Sequence, residues 1–143
     1  MIELRGVSKA YGARQVVDDL SLHVKAGERV VLLGASGSGK STLLKLINRL
    51  IEADRGEIFF AGQPIGQLDV QALRHRIGYV MQSTGLFPHW SVARNVATVP
   101  TLLKWPRERI DQRVDELLRL LGLAPAQFAS RYPHQLSGGQ QQR

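Results

Sequence analysis

The chain has 143 residues, of which 43% are hydrophobic and 22% charged, proportions typical of one folded globular domain. It contains no cysteine, which excludes disulfides and thiolate metal sites, and no apolar run is long enough to cross a membrane. The formal net charge is +7, but the basic residues are scattered among acidic ones, so we expect no nucleic-acid partner.

The first part of the chain predicts strands that alternate with helices. Strands are predicted at residues 2–4, 16–24, 29–33, 57–61 and 77–81. A loop carrying Tyr11 is predicted at residues 9–12, and helices are predicted at residues 43–50 and 68–76. This alternation indicates the α/β class, in which the early strands form an antiparallel layer.

The second part of the chain predicts helices. Ser91 is placed to cap a helix that begins at Val92. Pro100 and Pro106 are expected to interrupt the next stretch, and apolar side chains recur at helical spacing after Pro106. Gly122 is expected to end that helix in the left-handed conformation.

A glycine-rich segment at residues 34–42 fits the pattern G-x-x-x-x-G-K-[ST] between a predicted strand and a predicted helix. Such a loop turns backbone N–H groups inward to form an anion site, and the helix adds the positive end of its dipole. Lys40 supplies a charge for the β- and γ-phosphates, and Ser41 supplies a hydroxyl for Mg²⁺. Against the alternative of an ordinary glycine-rich turn, we predict nucleotide binding by Gly34, Ala35, Ser36, Gly37, Ser38, Gly39, Lys40, Ser41 and Thr42.

A second motif, Leu-Ser-Gly-Gly-Gln, lies near the end of the sequence at residues 136–140. Together with the glycine-rich loop, with Tyr11 and with Gln82, it resembles the ATP-binding subunit of the ABC transporter family. The resemblance covers the whole chain and implies a nucleotide-binding core at residues 1–82 and a helical subdomain at residues 83–143. It implies a P-loop NTPase fold with a mainly parallel sheet, helices and an N-terminal antiparallel β layer.

The resemblance also implies roles for the residues of both motifs. Tyr11 would stack on the adenine of ATP, unless it only covers the edge of the core. Gln82 would be a catalytic residue and a ligand of Mg²⁺, unless it is an ordinary polar residue after a strand. The signature motif would contact ATP bound by a second copy of the subunit through Leu136, Ser137, Gly138, Gly139 and Gln140.

A narrower resemblance, carried by residues 78–105 and 131–135, is to the branch that imports quaternary amines such as glycine betaine, choline or carnitine. It implies transmembrane permease subunits, indirectly a substrate-binding protein, and a peripheral position on the cytoplasmic face of the inner membrane. The alternatives are another small-solute importer, a soluble ABC ATPase of DNA repair or translation, and a scaffold without activity. Arg94 departs from the family, since an acidic residue there would complete a capping box with Ser91.

The sequence ends at Arg143, just inside the helix that the signature should open. The family continues with a strand that carries an Asp and a catalytic Glu, and later with a His. We therefore expect a truncated chain whose sheet lacks a strand between residues 29–33 and 77–81. The expected consequences are weak ATP binding, negligible hydrolysis and unpaired strand edges that favour self-association.

Overall fold

The computed structural model describes residues 1–81 and 85–143. They form two compact units, Met1–Tyr79 and Val80–Arg143, and each unit has its own cluster of buried apolar side chains. The division of roles between residues 1–82 and 83–143 stays a prediction.

The first unit contains an antiparallel sheet, as the alternating early segments predict. Its strands are β1 (Ile2–Tyr11), β2 (Arg14–Val24), β3 (Arg55–Phe60) and β4 (Gln63–Pro64). The strand order is β2-β1-β3-β4, and each neighbouring pair is antiparallel. The predicted N-terminal β layer is therefore confirmed.

The hairpin between β1 and β2 is tighter than the sequence predicts. The predicted loop at residues 9–12 is wrong, because β1 continues to Tyr11 and only Gly12 and Ala13 form the turn. Tyr11 pairs with Arg14 across the hairpin, and Gly12 has a φ of 59°. Lys9 and Ala10 have low intrinsic strand propensity, which the hydrogen bonds to the partner strand override.

Two α helices and one 3-10 turn cover this sheet. They are α1 (Lys40–Ile47), a 3-10 turn (Ile65–Gln67) and α2 (Val70–His75). The Asp69 carboxylate caps α2 by accepting the Ala72 N–H at 2.8 Å. The helices and strands bury one cluster: Leu4, Val7, Val17, Leu43, Leu46, Ile58, Ile65 and Leu73.

The strands predicted at residues 29–33 and 77–81 are not formed, so these two predictions are wrong. Neither segment has a ladder partner in the described part of the chain, and unpaired extended backbone gains no interstrand hydrogen bonds. Burial does not compensate, because Val31, Leu33 and Val80 are 77%, 89% and 79% exposed. The sheet is incomplete, as expected.

The second unit is helical. Its elements are α3 (Val92–Val96), α4 (Thr98–Leu102), α5 (Arg107–Leu120), α6 (Pro125–Phe128), a 3-10 turn (Pro133–Gln135) and α7 (Gly138–Gln142). The helices bury a second cluster: Val92, Val114, Leu118, Leu123, Phe128 and Leu136. Within residues 1–81 and 85–143, no helix has the length and apolar character that a membrane crossing requires.

The helix ends of the second unit agree with most of the sequence predictions. The Ser91 hydroxyl accepts the Arg94 N–H at 3.3 Å, and Gly122 follows α5 with a φ of 71°. The Arg94 guanidinium lies 4.2 Å from the centroid of the Trp90 ring. The helical stretch is interrupted at Ala97, between α3 and α4, and Pro100 lies in the first turn of α4, where a backbone N–H has no intrahelical acceptor.

Candidate functional site

The predicted phosphate loop leads directly into α1, which begins at Lys40. Gly39 has a φ of 92°, and a Cβ there would lie 2.5 Å from the Val16 carbonyl oxygen of β2. The Gly39 carbonyl then accepts the Leu43 N–H at 2.9 Å. Glycine is required at this position, because the backbone passes β2 too closely for a side chain and has a left-handed φ.

The Lys40 ammonium group is held within the loop. Its Nζ atom donates hydrogen bonds to the carbonyl oxygens of Gly34 and Ala35, both at 2.7 Å, and to the Ser38 hydroxyl at 3.1 Å. The Ser38 N–H donates to the Ala35 carbonyl at 3.2 Å, which closes a turn around the ammonium. The structure thus places the cation of the motif inside the curve of its own loop.

A cavity of about 210 Å³ joins the loop to the β1–β2 hairpin. Its lining contains predicted site residues from β1 and from the loop, together with two residues of β2. The lining residues are Tyr11 of β1, Arg14 and Val16 of β2, and Gly37, Ser38, Gly39, Lys40, Ser41 and Thr42. Tyr11 is 50% exposed, so its ring is accessible to a flat ligand. The structure therefore brings Tyr11 beside the loop, while its adenine-stacking role stays a prediction.

A carboxylate fixes the end of β1 that carries Tyr11. Asp54 accepts a hydrogen bond from the Lys9 ammonium at 2.6 Å and another from the Ala10 N–H at 2.7 Å. These bonds hold the pKa of the Asp54 carboxyl below its usual value, and the bond from Lys9 has the larger effect. Lys9 also lies 5.9 Å from the centroid of the Tyr11 ring, and its charge is balanced by Asp54.

Sequence reasoning missed Arg14 and Val16. Arg14 pairs with Tyr11 in the hairpin, and its Nη2 donates to the Gly37 carbonyl at 3.5 Å. A turn of two residues, had it been recognised from Gly12, would have placed residue 14 opposite residue 11. No sequence signal indicates the close approach of Val16 to the loop.

The predicted cation ligands are only partly placed. Ser41 lies in the first turn of α1 and lines the cavity, whereas Gln82 lies outside the described residues. Elsewhere in residues 1–81 and 85–143, no three His, Cys, Asp or Glu side chains are grouped to hold a metal ion. A Mg²⁺ ion here would depend on Ser41, phosphate oxygens and water, which is a ligand set that Mg²⁺ commonly accepts.

The signature motif forms the start of α7 in the second unit. The Ser137 hydroxyl accepts the Gln140 N–H at 3.3 Å, and Gln140 Oε1 accepts the Ser137 N–H at 2.9 Å, which is a capping box. The spacing Ser-x-x-Gln shows this box in the sequence, although we did not predict it. Leu136 is buried in the second cluster, while Gly138 and Gly139 are exposed and open to their surroundings.

The fold and the two motifs define a class of protein. A family model described as the ABC transporter matches residues 17–143. The chain therefore belongs to the ABC transporter family.

Individual relatives agree with the narrower branch that the sequence indicates. The chain is 62% identical over 143 residues to the glycine betaine uptake system ATP-binding protein YehX of Escherichia coli K12 and covers 46% of it. It is 48% identical to the glycine betaine/carnitine/choline transport ATP-binding protein OpuCA of Bacillus subtilis 168 and covers 38% of that protein. All of this chain is matched in both cases, so it spans less than half the length of these curated relatives.

Solved structures confirm the fold class. The chain is similar to two dimeric structures of one bacterial ABC transporter cassette, MJ0796. The TM-score is 0.86 for one structure and 0.84 for the other, a post-hydrolysis state bound to ADP and Pi. Sequence identity is 34% in both cases, and both alignments cover 99% of this chain and 65% of the cassette chain.

Proposed function

We propose that the chain is part of an ATP-binding subunit that couples ATP binding and hydrolysis to the import of a quaternary-amine osmoprotectant. The observation that carries the proposal is the cavity in which Tyr11 lies beside the loop of Lys40. An aromatic ring, an anion-binding loop and a helix start together match the base and the phosphates of a nucleotide. The solute is inferred from the relatives, which are transport proteins for glycine betaine, carnitine and choline.

In this proposal each part of ATP meets a different element. The adenine stacks on Tyr11 at the end of β1, and the phosphates meet the loop and the first turn of α1. Lys40 exchanges its carbonyl contacts for phosphate oxygens, which are stronger acceptors for an ammonium group. Ser41 is the hydroxyl ligand of Mg²⁺, and Gln82 is proposed as its second ligand and as the catalytic residue.

A second copy of the subunit is the first proposed partner. The capping box holds the signature at the start of α7, where the first-turn N–H groups of Gly138 and Gly139 have no intrahelical acceptor. These groups and Ser137 would contact the γ-phosphate of ATP bound by the other copy, with Leu136 and Gln140 fixing the shape of the motif. The similar cassette MJ0796 is dimeric in both of its solved structures, which supports this arrangement.

Transmembrane permease subunits are the second proposed partner. A groove of about 700 Å³ lies in the second unit and is lined largely by apolar atoms of α3, α4 and α5, including those of Ala93, Ile110 and Val114. A helical segment of a permease would fill it, and the subunit would then lie peripherally on the cytoplasmic face of the inner membrane. A substrate-binding protein would then act only through the permease.

The test of nucleotide binding is calorimetric titration with Mg-ATP. Lys40→Ala removes a charge-assisted contact of about 1.5–3 kcal/mol, so ATP affinity should fall about 10- to 100-fold. Lys45→Ala, on the exposed face of the same helix, is the matched control and should bind as the unchanged chain does. The proposal is wrong if a folded sample gives no heat with Mg-ATP and no competition by ADP.

A further inference from the structure

We propose that Arg14 is a second phosphate-binding residue, which contacts the phosphate nearest the nucleoside. The inference rests on the proposed function, since it assumes that ATP occupies the cavity between the hairpin and the loop. Arg14 belongs to β2, but its guanidinium reaches the Gly37 carbonyl of the loop and lines the same cavity as Tyr11 and Lys40.

The charges around the cavity distinguish Arg14 from its neighbour Lys9. The Lys9 ammonium is paired with Asp54 at 2.6 Å. The Arg14 guanidinium has no acidic partner in the part of the chain that the structure describes, and its one hydrogen bond there is to the Gly37 carbonyl. An arginine has five N–H donors, so the guanidinium retains donors for an anion that enters the cavity.

The existing bond of Arg14 is easily exchanged. Its length of 3.5 Å is at the long limit for a hydrogen bond, and the acceptor is a neutral carbonyl. A phosphate oxygen would form a charge-assisted bond of about 2.7–2.9 Å, and the planar fork of arginine suits two such oxygens at once. Binding of a phosphate therefore replaces a weak contact with a stronger one.

The hairpin register indicates which phosphate Arg14 meets. Tyr11 and Arg14 are direct cross-strand partners, so a base on Tyr11 has its first phosphate near Arg14. Lys40 is bonded deep in the loop to the carbonyls of Gly34 and Ala35, which suits the more distant phosphates. Arg14 should therefore recognise AMP, ADP and ATP, whereas Lys40 should matter only for ADP and ATP.

The test is competition of AMP, ADP and ATP against a fluorescent ATP analogue bound to the 143-residue chain. Arg14→Gln removes the charge and, because its side chain is shorter, also gives up the weak contact with the Gly37 carbonyl, whereas Arg14→Lys keeps the charge. We expect all three nucleotides to bind about 3- to 10-fold more weakly, and Arg14→Lys to recover part of the loss. Arg119→Gln changes the net charge equally from an exposed position on α5 and should leave affinity unchanged.

The outcomes separate this inference from the proposed function. If Arg14→Gln binds all three nucleotides normally while Lys40→Ala loses ADP and ATP, the site binds nucleotide but Arg14 only contacts the loop, and the inference is wrong. Equal losses in Arg14→Gln and Arg119→Gln would also overturn it, because net charge alone would explain them. If no nucleotide displaces the analogue from the unchanged chain, both the inference and the proposed function fail.

Discussion

Gly39 lies where the loop passes close to β2 and leads into α1. In Gly39→Ala the new Cβ would lie 2.5 Å from the Val16 carbonyl oxygen, and the backbone has a φ of 92°. We expect a loss of about 1–2 kcal/mol from the φ alone, and a further 1–3 kcal/mol because β2 or the loop must shift. Urea denaturation followed by circular dichroism measures the difference.

The control for Gly39→Ala is Gly62→Ala. Gly62 has a similar φ of 81° but no atom within 4 Å of its added Cβ. Gly62→Ala therefore has only the conformational cost. The difference in the free energy of unfolding between the two variants then isolates the contact with Val16. Equal destabilisation of the two variants would contradict a close approach of the loop to β2.

At the level of residues, the sequence predicts the site residues that belong to one contiguous motif, but not those that reach the site from a distant segment. The motif locates Gly39 and Lys40 because the pattern of residue types is itself contiguous. Arg14 is missed because its contact with Gly37 joins residues that lie 23 positions apart and depends on the turn at Gly12. Gln82 lies outside the described residues, so its role stays a prediction.

Asp54 stabilises the pairing of β1 with the start of β3 through its hydrogen bonds to Lys9 and Ala10. We therefore predict that the stability of the fold depends on pH. The pKa of the Asp54 carboxyl is lower in the folded chain than its usual value, mainly because of the hydrogen bond from Lys9. Its stabilising contribution is therefore present above the unfolded pKa and is lost as pH falls through the folded pKa. Asp54→Asn should lower the melting temperature near pH 7, and this deficit should shrink as the pH is lowered to about 3 and below.

The matched variant for this experiment is Asp111→Asn, on the exposed face of α5. Its carboxylate lies 3.7 Å from Arg107, and both side chains are largely exposed, so it should contribute little at any pH. A deficit of Asp54→Asn that stays constant from neutral to acidic pH would show that the hydrogen bonds of Asp54 do not depend on its charge.

At the level of elements, the antiparallel strands and the helices were predictable because their signals lie within each segment. Alternation marks β1 and β2, and the apolar spacing after Pro106 marks α5. The segments at residues 29–33 and 77–81 have the composition of strands, but a strand forms only beside a partner. Composition cannot show whether that partner is present.

Each of the two units has its own core, and this predicts separate responses to core mutations. Leu46 and Leu118 are both 1% exposed, in the first and second clusters respectively. Leu46→Ala and Leu118→Ala should each cost about 2–5 kcal/mol within the unit that carries the change. Hydrogen exchange should show faster exchange in α1 and the sheet for Leu46→Ala, and in α3 and α5 for Leu118→Ala. Faster exchange across both units in either variant would contradict separate cores.

For the whole molecule, the sequence predicts the family and the fold class correctly but does not predict correctly which strands the sheet contains. The two motifs indicate the ABC transporter family, and the family match and the similar cassette structures confirm it. The strand predictions at residues 29–33 and 77–81 are wrong because a strand depends on pairing with distant residues. A motif, in contrast, is recognised from its own residues. The solute is not encoded in the cavity and is inferred from relatives.

The capping box of α7 has a consequence for recognition. Ser137 and Gln140 satisfy each other's polar groups through two reciprocal hydrogen bonds, so the Leu-Ser-Gly-Gly-Gln segment adopts its shape without help from outside. A surface that is rigid beforehand loses little conformational entropy when it is occupied. A phosphate group that binds this segment would contact a preorganised surface. Its affinity would depend on the contacts that it makes there and not on the cost of ordering a loop.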